Sequence, residues 1–132
     1  MTDSSLTLIQ YKEFVISQIK DQRTERLDYD VLAEYPPGSG NLFSCSTTSQ
    51  INWGNLTVLD DRELVTYPFT VTTADEMGSY TLTSSSDLTN AVATISAAVI
   101  TERAYAQSFI DAVNAAPDQA GVDAAAAPYL NL

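Results

Sequence analysis

Residues 84–117, "SSSDLTNAVATISAAVITERAYAQSFIDAVNAAP", decide the fold. Leu88, Val92, Ile95, Val99, Glu102, Ala106, Phe109 and Val113 recur at alternating spacings of four and three, which puts them on one stripe of a helix. Ser84 with Asp87 three residues on is close to a capping box, and Pro117 stops the run. At 1.5 Å per residue such a helix is about 45 Å long, and the charge of Glu102 interrupts its apolar stripe. It can lie across a small sheet of its own chain, or part of it can outlast that core and pack against copies of itself. Ala91, Ala97, Ala98, Ala104 and Ala106 permit close helix approach in either case. In the second arrangement Ile95, Val99, Ala106 and Phe109 straddle core and subunit interface.

Working back from this helix, "LVTYPFTVTTADEMGSYTLT" reads as a β-hairpin, residues 67–73 with 79–83. Phe69, Val71 and Thr73 face one way, Tyr80 and Leu82 do the same, and "ADEMG" supplies the turn. "TTSQINWGNLTVLDD" opens on cap-type residues and reads as a short helix carrying Ile51, Leu56 and Leu59 inward, weakened by Gly54. "NLFSCS" alternates, with Phe43 and Cys45 on one face of a short strand. "EYPPGSGN" is a loop. Before it a first helix is expected over residues 6–27, with Leu6, Ile9, Phe14, Val15 and Ile19 as its stripe and Asp3, Ser4 or Ser5 as its cap. Pro117 at a first helical position, followed by Asp118, starts one more short helix that Pro128 ends, and Tyr129, Leu130 and Leu132 form a C-terminal docking arm or a frayed tail. The expectation is an α+β fold: N-terminal helix, short strand, short helix, β-hairpin and a long C-terminal helix packed on a small antiparallel sheet. Residues 1–117 make a single domain and 118–132 the short helix and arm.

Six Lys and Arg stand against seventeen Asp and Glu, a formal charge of -11 with no His. Phosphate backbones and acidic membrane leaflets are repelled by such a surface, so neither nucleic acid nor membrane is expected as a partner. The opening "MTDSSLTLIQYKEF" lacks a basic region followed by an apolar stretch and is not read as a signal peptide. The most apolar run, residues 91–100, is far shorter than the roughly 20 residues of a membrane span. Cys45 is alone, which excludes an internal disulfide and suits a reducing cytosol, where it reads as a buried small hydrophobe. Lys12, Lys20, Arg23 and Arg26 crowd the first helix. They form a solvated face beside Glu13, Asp21 and Glu25, or they meet the acidic remainder of another copy.

Without His and with one Cys, the common triads, zinc sites and haem ligation are excluded. Catalysis would rest on Asp60, Asp61 and Glu63, or on Asp75 and Glu76 at the hairpin tip, two of them held together in a cleft. Neither run has the spacing of a calcium loop, and no phosphate-cradling glycine motif occurs. No catalytic, metal or cofactor-binding residue is expected, and no cofactor.

The charged helix ending "QIKDQRTERLDYDV", "LFSCSTTSQINW", the hairpin "YPFTVTTADEMGSYTLTSSSDL" and the closing "FIDAVNAAPDQAGVDA" together resemble a domain-of-unknown-function family found in tail-fibre and tail-assembly proteins of tailed bacteriophages. The likeness covers residues 15 to 126. A small residue, a Gln and an apolar position follow the family's short strand, here Ser49, Gln50 and Ile51. "EYPPGSGN" departs from the simpler family turn, and Phe69 is the nearest match to a Trp often found in the hairpin. The resemblance implies no catalytic residues and casts Ile51, Trp53 and Phe69 as the core anchor of the middle segment. It implies a virion or virion-assembly role in a protein made in the host cytoplasm. Together with the missing catalytic residues and the long helix stripe, the expectation is a structural component of a virion, in the tail, fibre attachment or neck, working through contacts with other virion proteins and as a homo-oligomer. One alternative is a fibre-assembly chaperone absent from the mature particle. Another is a small carboxylate-based enzyme or calcium-dependent binder, which requires Asp60 and Asp61 to converge with Asp75 or Glu76.

Overall fold

The computed structural model describes residues 7–131, and the fold is α+β. In chain order the elements are α1 (Leu8–Tyr29), β1 (Leu32–Glu34), β2 (Leu42–Ser44), α2 (Thr47–Asp61), β3 (Phe69–Thr72), β4 (Ser79–Leu82), α3 (Ser85–Ala115) and α4 (Gln119–Leu130). The strands form two antiparallel hairpins, β1 with β2 and β3 with β4. Contacts divide the chain into two compact units. One holds the described residues up to Glu25 with those from Glu102 on, and the other is Arg26–Thr101, so the division falls inside α1 and α3 rather than at Pro117.

In the Arg26–Thr101 unit, Leu88, Ala91, Ile95 and Val99 of α3 bury against Ala33, Phe43, Cys45 and Leu82 from the two hairpins. The other unit is helical: Val15 and Ile19 of α1, Ala106, Ile110 and Val113 of α3, and Val122, Ala126 and Tyr129 of α4 share one core. The spacing-four-and-three stripe of α3 is thus divided between two cores. Its charged position, Glu102, is buried and accepts a hydrogen bond from the Tyr129 hydroxyl at 2.7 Å.

Local chemistry accounts for the helix ends. Thr7 and Gln10 form a reciprocal capping box at the start of α1, each side chain accepting from the other's backbone N–H at 3.0–3.1 Å. Ser46 caps α2 by accepting from the Ser49 amide. Glu63 adopts the left-handed conformation just after α2, where the Leu64 amide reaches back to the Leu59 carbonyl. Ser84 accepts from the Asp87 amide at the start of α3, the partnership its sequence spacing indicates.

Several expectations are corrected. The stretch before "PPGSG" is strand β1, since Glu34 accepts from the Gly38 and Gly40 amides and turns the chain back into β2. Ile9 and Phe14 are exposed. The inward face of α1 instead runs through Leu8, Tyr11, Val15 and Ile19, at spacings of three and four. Pro128 does not end α4 but sits inside it; Pro128 and Ala124, whose carbonyl loses its helical donor there, are both on the exposed side. Tyr129 and Leu130 belong to α4 and pack into their own unit rather than forming an arm, while Leu132, Leu6 and the expected caps Asp3, Ser4 and Ser5 lie outside the described residues.

Replacing Tyr129 by Phe removes the donor to a buried carboxyl and is expected to cost about 1–3 kcal/mol in urea denaturation. Phe14→Ala, on an exposed face, should stay within about 0.5 kcal/mol of the parent.

Candidate functional site

Within Arg26–Thr101 the Asp87 carboxylate gathers both hairpins at the start of α3. It accepts from the Tyr35 hydroxyl just after β1, from the Tyr80 hydroxyl on β4 at 3.0–3.1 Å, and from the Thr83 amide at 3.0 Å. The Tyr35 and Tyr80 rings meet edge to face at 5.5 Å. Burial alone favours the neutral acid, but the hydrogen bonds from Tyr35, the Thr83 amide and Tyr80 outweigh it and hold the Asp87 carboxyl below its usual range. Burial and the same Asp87 bond push the Tyr35 hydroxyl up to about 12, so it remains a donor at neutral pH. A second carboxylate, Asp60 at the end of α2, accepts from Tyr67 at 2.7 Å and from Ser85 at 3.0 Å. The two acids fasten α2 and the hairpins to one helix terminus, where negative charge is favoured. Sequence reasoning found Asp87 as a cap and missed its tyrosines; a Tyr after one strand and another inside a second was the signal.

The hairpins so fixed leave a cleft beside α2. Trp53 packs edge to face on Phe43 with ring centroids 5.9 Å apart, and with Leu56, Phe69 and Val71 it lines a hollow of about 310 Å³. An adjoining hollow of about 490 Å³ is lined by Phe43, Ser44, Trp53, Thr72 and Glu76. None of the residues of α2 is fully buried. Trp53 and Leu56 face the core, whereas Ile51 (57% exposed), Val58 and Leu59 face outward.

The expected anchor residues therefore separate. Trp53 packs on the core, Ile51 does not, and Phe69 is 38% exposed at the cleft. The correction for Ile51 is geometric: positions 53, 56, 57 and 60 form the inner face of α2, and residue 51 lies off it. Leu59, expected inward with Ile51, is likewise exposed. Ile95 and Val99 are buried in one core and Ala106 in the other. Phe109 is partly buried against Tyr105 and Tyr129, so these four positions are largely covered within the chain itself.

The carboxylates needed for acid–base work engage different partners. Asp60 is held by Tyr67 and Ser85, while Asp75 accepts from the Thr73 hydroxyl and the Met77 amide in its own turn. No group of three His, Cys, Asp or Glu able to hold a metal occurs among the described residues. Burial pushes the Cys45 thiol up, away from the reactive thiolate. No helix of the described residues is long and apolar enough to cross a membrane. In comparisons with known proteins, no family model, no curated protein and no solved structure matches the chain.

Because the folded-state pKa of Asp87 lies below its ordinary value of 3.8, its stabilisation is present above that value and disappears as pH falls through the lowered one. Asp87→Asn should therefore cost about 1–3 kcal/mol at neutral pH and lose less on acidification. Urea midpoints at pH 7, 4 and 2 check this, with the parent and variant converging at the acid end.

Proposed function

We propose that this protein is a non-catalytic assembly component that works through protein–protein contacts. The observation that carries the reading is the outer side of α2, where Ile51, Val58 and Leu59 stand in solvent on a helix none of whose residues is fully buried, with Leu64 and Phe69 also exposed after it. Exposed apolar side chains on a firmly capped helix suit a surface completed by a partner. The resemblance to tail-fibre and tail-assembly proteins of tailed bacteriophages gives that surface its setting. The protein is then a structural component of the virion, in the tail, fibre attachment or neck, meeting other virion proteins and further copies of itself.

The outward position of these side chains makes the test clean. Ile51→Asp with Val58→Asp should leave the melting temperature within a few degrees of the parent, since neither residue belongs to a core. The same pair should remove the protein from purified particles and reduce any multimer seen by light scattering to the monomer mass. Unchanged incorporation by the folded double variant would contradict the reading. An intact protein that binds its partner but is absent from finished particles would identify the assembly-chaperone role instead.

A further inference from the structure

The cleft beside α2 runs along the edge of β3 away from β4, where no strand of the described residues is paired with it. The Thr73 amide donates to the Gly78 carbonyl at 3.0 Å, which makes residues 73 and 78 a hydrogen-bonded pair. With the register Thr72↔Ser79, Val71↔Tyr80, Thr70↔Thr81 and Phe69↔Leu82, bonded and non-bonded pairs alternate. Val71 and Phe69 therefore bond to β4, while the backbone N–H and C=O groups of Thr70 and Thr72 point away from it. The close approach of the Thr70 and Thr81 hydroxyls, 3.2 Å, is the side-chain spacing of a non-bonded pair. Outside the β3–β4 ladder, no backbone hydrogen bond among the described residues reaches Thr70 or Thr72.

The neighbouring hairpin shows how this edge is approached and then left open. By the same alternation, set by the Tyr35 amide on the Asn41 carbonyl at 3.0 Å, Leu42 and Ser44 turn their backbone groups away from β1. The Leu42 carbonyl accepts from the Ala74 amide at 2.8 Å. Two residues further in opposite directions, Ser44 and Thr72 make no such bond and both line the cleft. Val71 and Phe69 line it too, with Trp53 and Leu56 across from them.

We propose that an extended segment of a partner protein, bearing Lys or Arg, adds as a strand to the β3 edge and places alternate apolar side chains over Trp53. This rests on the protein-contact reading above and names the partner's chemistry. The backbone groups of Thr70 and Thr72 accept an extended chain, and the hollow beside them accepts every second side chain. Charge selects the occupant. Arg26–Thr101 carries nine carboxylates against two arginines, and Glu76 is the charged side chain lining the cleft. A second copy of this chain would bring the same carboxylates to the contact, whereas a basic strand complements them.

The probe is a capped six-residue peptide alternating Val with Lys, titrated into the full-length protein and followed by backbone amide NMR. Millimolar or tighter binding is expected, with the largest shifts at Thr70, Thr72 and the Trp53 indole. Replacing each Lys by Glu should weaken binding at least tenfold, and so should methylating alternate backbone nitrogens of the peptide, which leaves the side chains unchanged. Thr72→Pro removes the outward donor without touching the β3–β4 ladder and should abolish binding. The peptide variants carry the test should that protein not fold. No binding, equal binding of the acidic or methylated peptide, or shifts confined to other residues would overturn the proposal. If strand addition fails while Ile51→Asp with Val58→Asp still excludes the protein from particles, the contact reading stands without it; if both fail, neither stands.

Discussion

The Asp87 carboxylate is the constraint on which the Arg26–Thr101 unit depends. Two-stranded hairpins are marginal by themselves in water, and this unit has two of them. Tyr35 at the end of one strand and Tyr80 within another donate to the same acid, which itself sits at the start of a helix whose Leu88, Ala91 and Ile95 cover both hairpins. Backbone, aromatic and charge contributions converge on one residue because helix termini favour anions and because paired tyrosines offer two donors on stiff arms. With the hairpins fixed there, α2 is tied at its far end by Asp60 and at its middle by Trp53 and Leu56, and its opposite side faces solvent.

This arrangement explains how a small unit keeps an uncovered apolar face without collapsing around it. Trp53 and Leu56 contribute the buried area of α2, so Ile51, Val58 and Leu59 are not needed by the core. The other unit leaves Ile9 and Phe14 of α1 exposed, but its core is closed. Val113, Val122 and Tyr129 are covered by three helices, and even the charge of the stripe, Glu102, is buried with the Tyr129 hydroxyl on it. The proposed contact surface lies on α2 and β3, where exposed apolar side chains occur together with the cleft at Trp53.

Much of the fold was legible because its periodicities are long. The α3 stripe, its Ser84–Asp87 start and the stop at Pro117 are visible in the sequence, as is the β3–β4 hairpin around "ADEMG". β1 was not, since three residues carry too little alternation and the adjoining prolines read as loop. The Thr7–Gln10 capping box is a signal in the sequence, but Asp3, Ser4 and Ser5 just before it are cap-type residues that compete with it. The candidate site was least legible. Ile51 and Trp53 are two residues apart, a spacing that joins them on a strand and separates them on a helix, so their roles depended on which element formed. The open edge of β3 lies beyond any sequence pattern because it depends on which strands of the described residues pair with β3, and only β4 does.

Amide hydrogen exchange on the free protein tests that open edge most directly. The account predicts alternation along β3, with the Val71 and Thr73 amides slow and those of Thr70 and Thr72 exchanging at rates near those of an unstructured chain. Uniform protection of all four would mean that the edge is already covered, and would contradict a surface held ready for a partner.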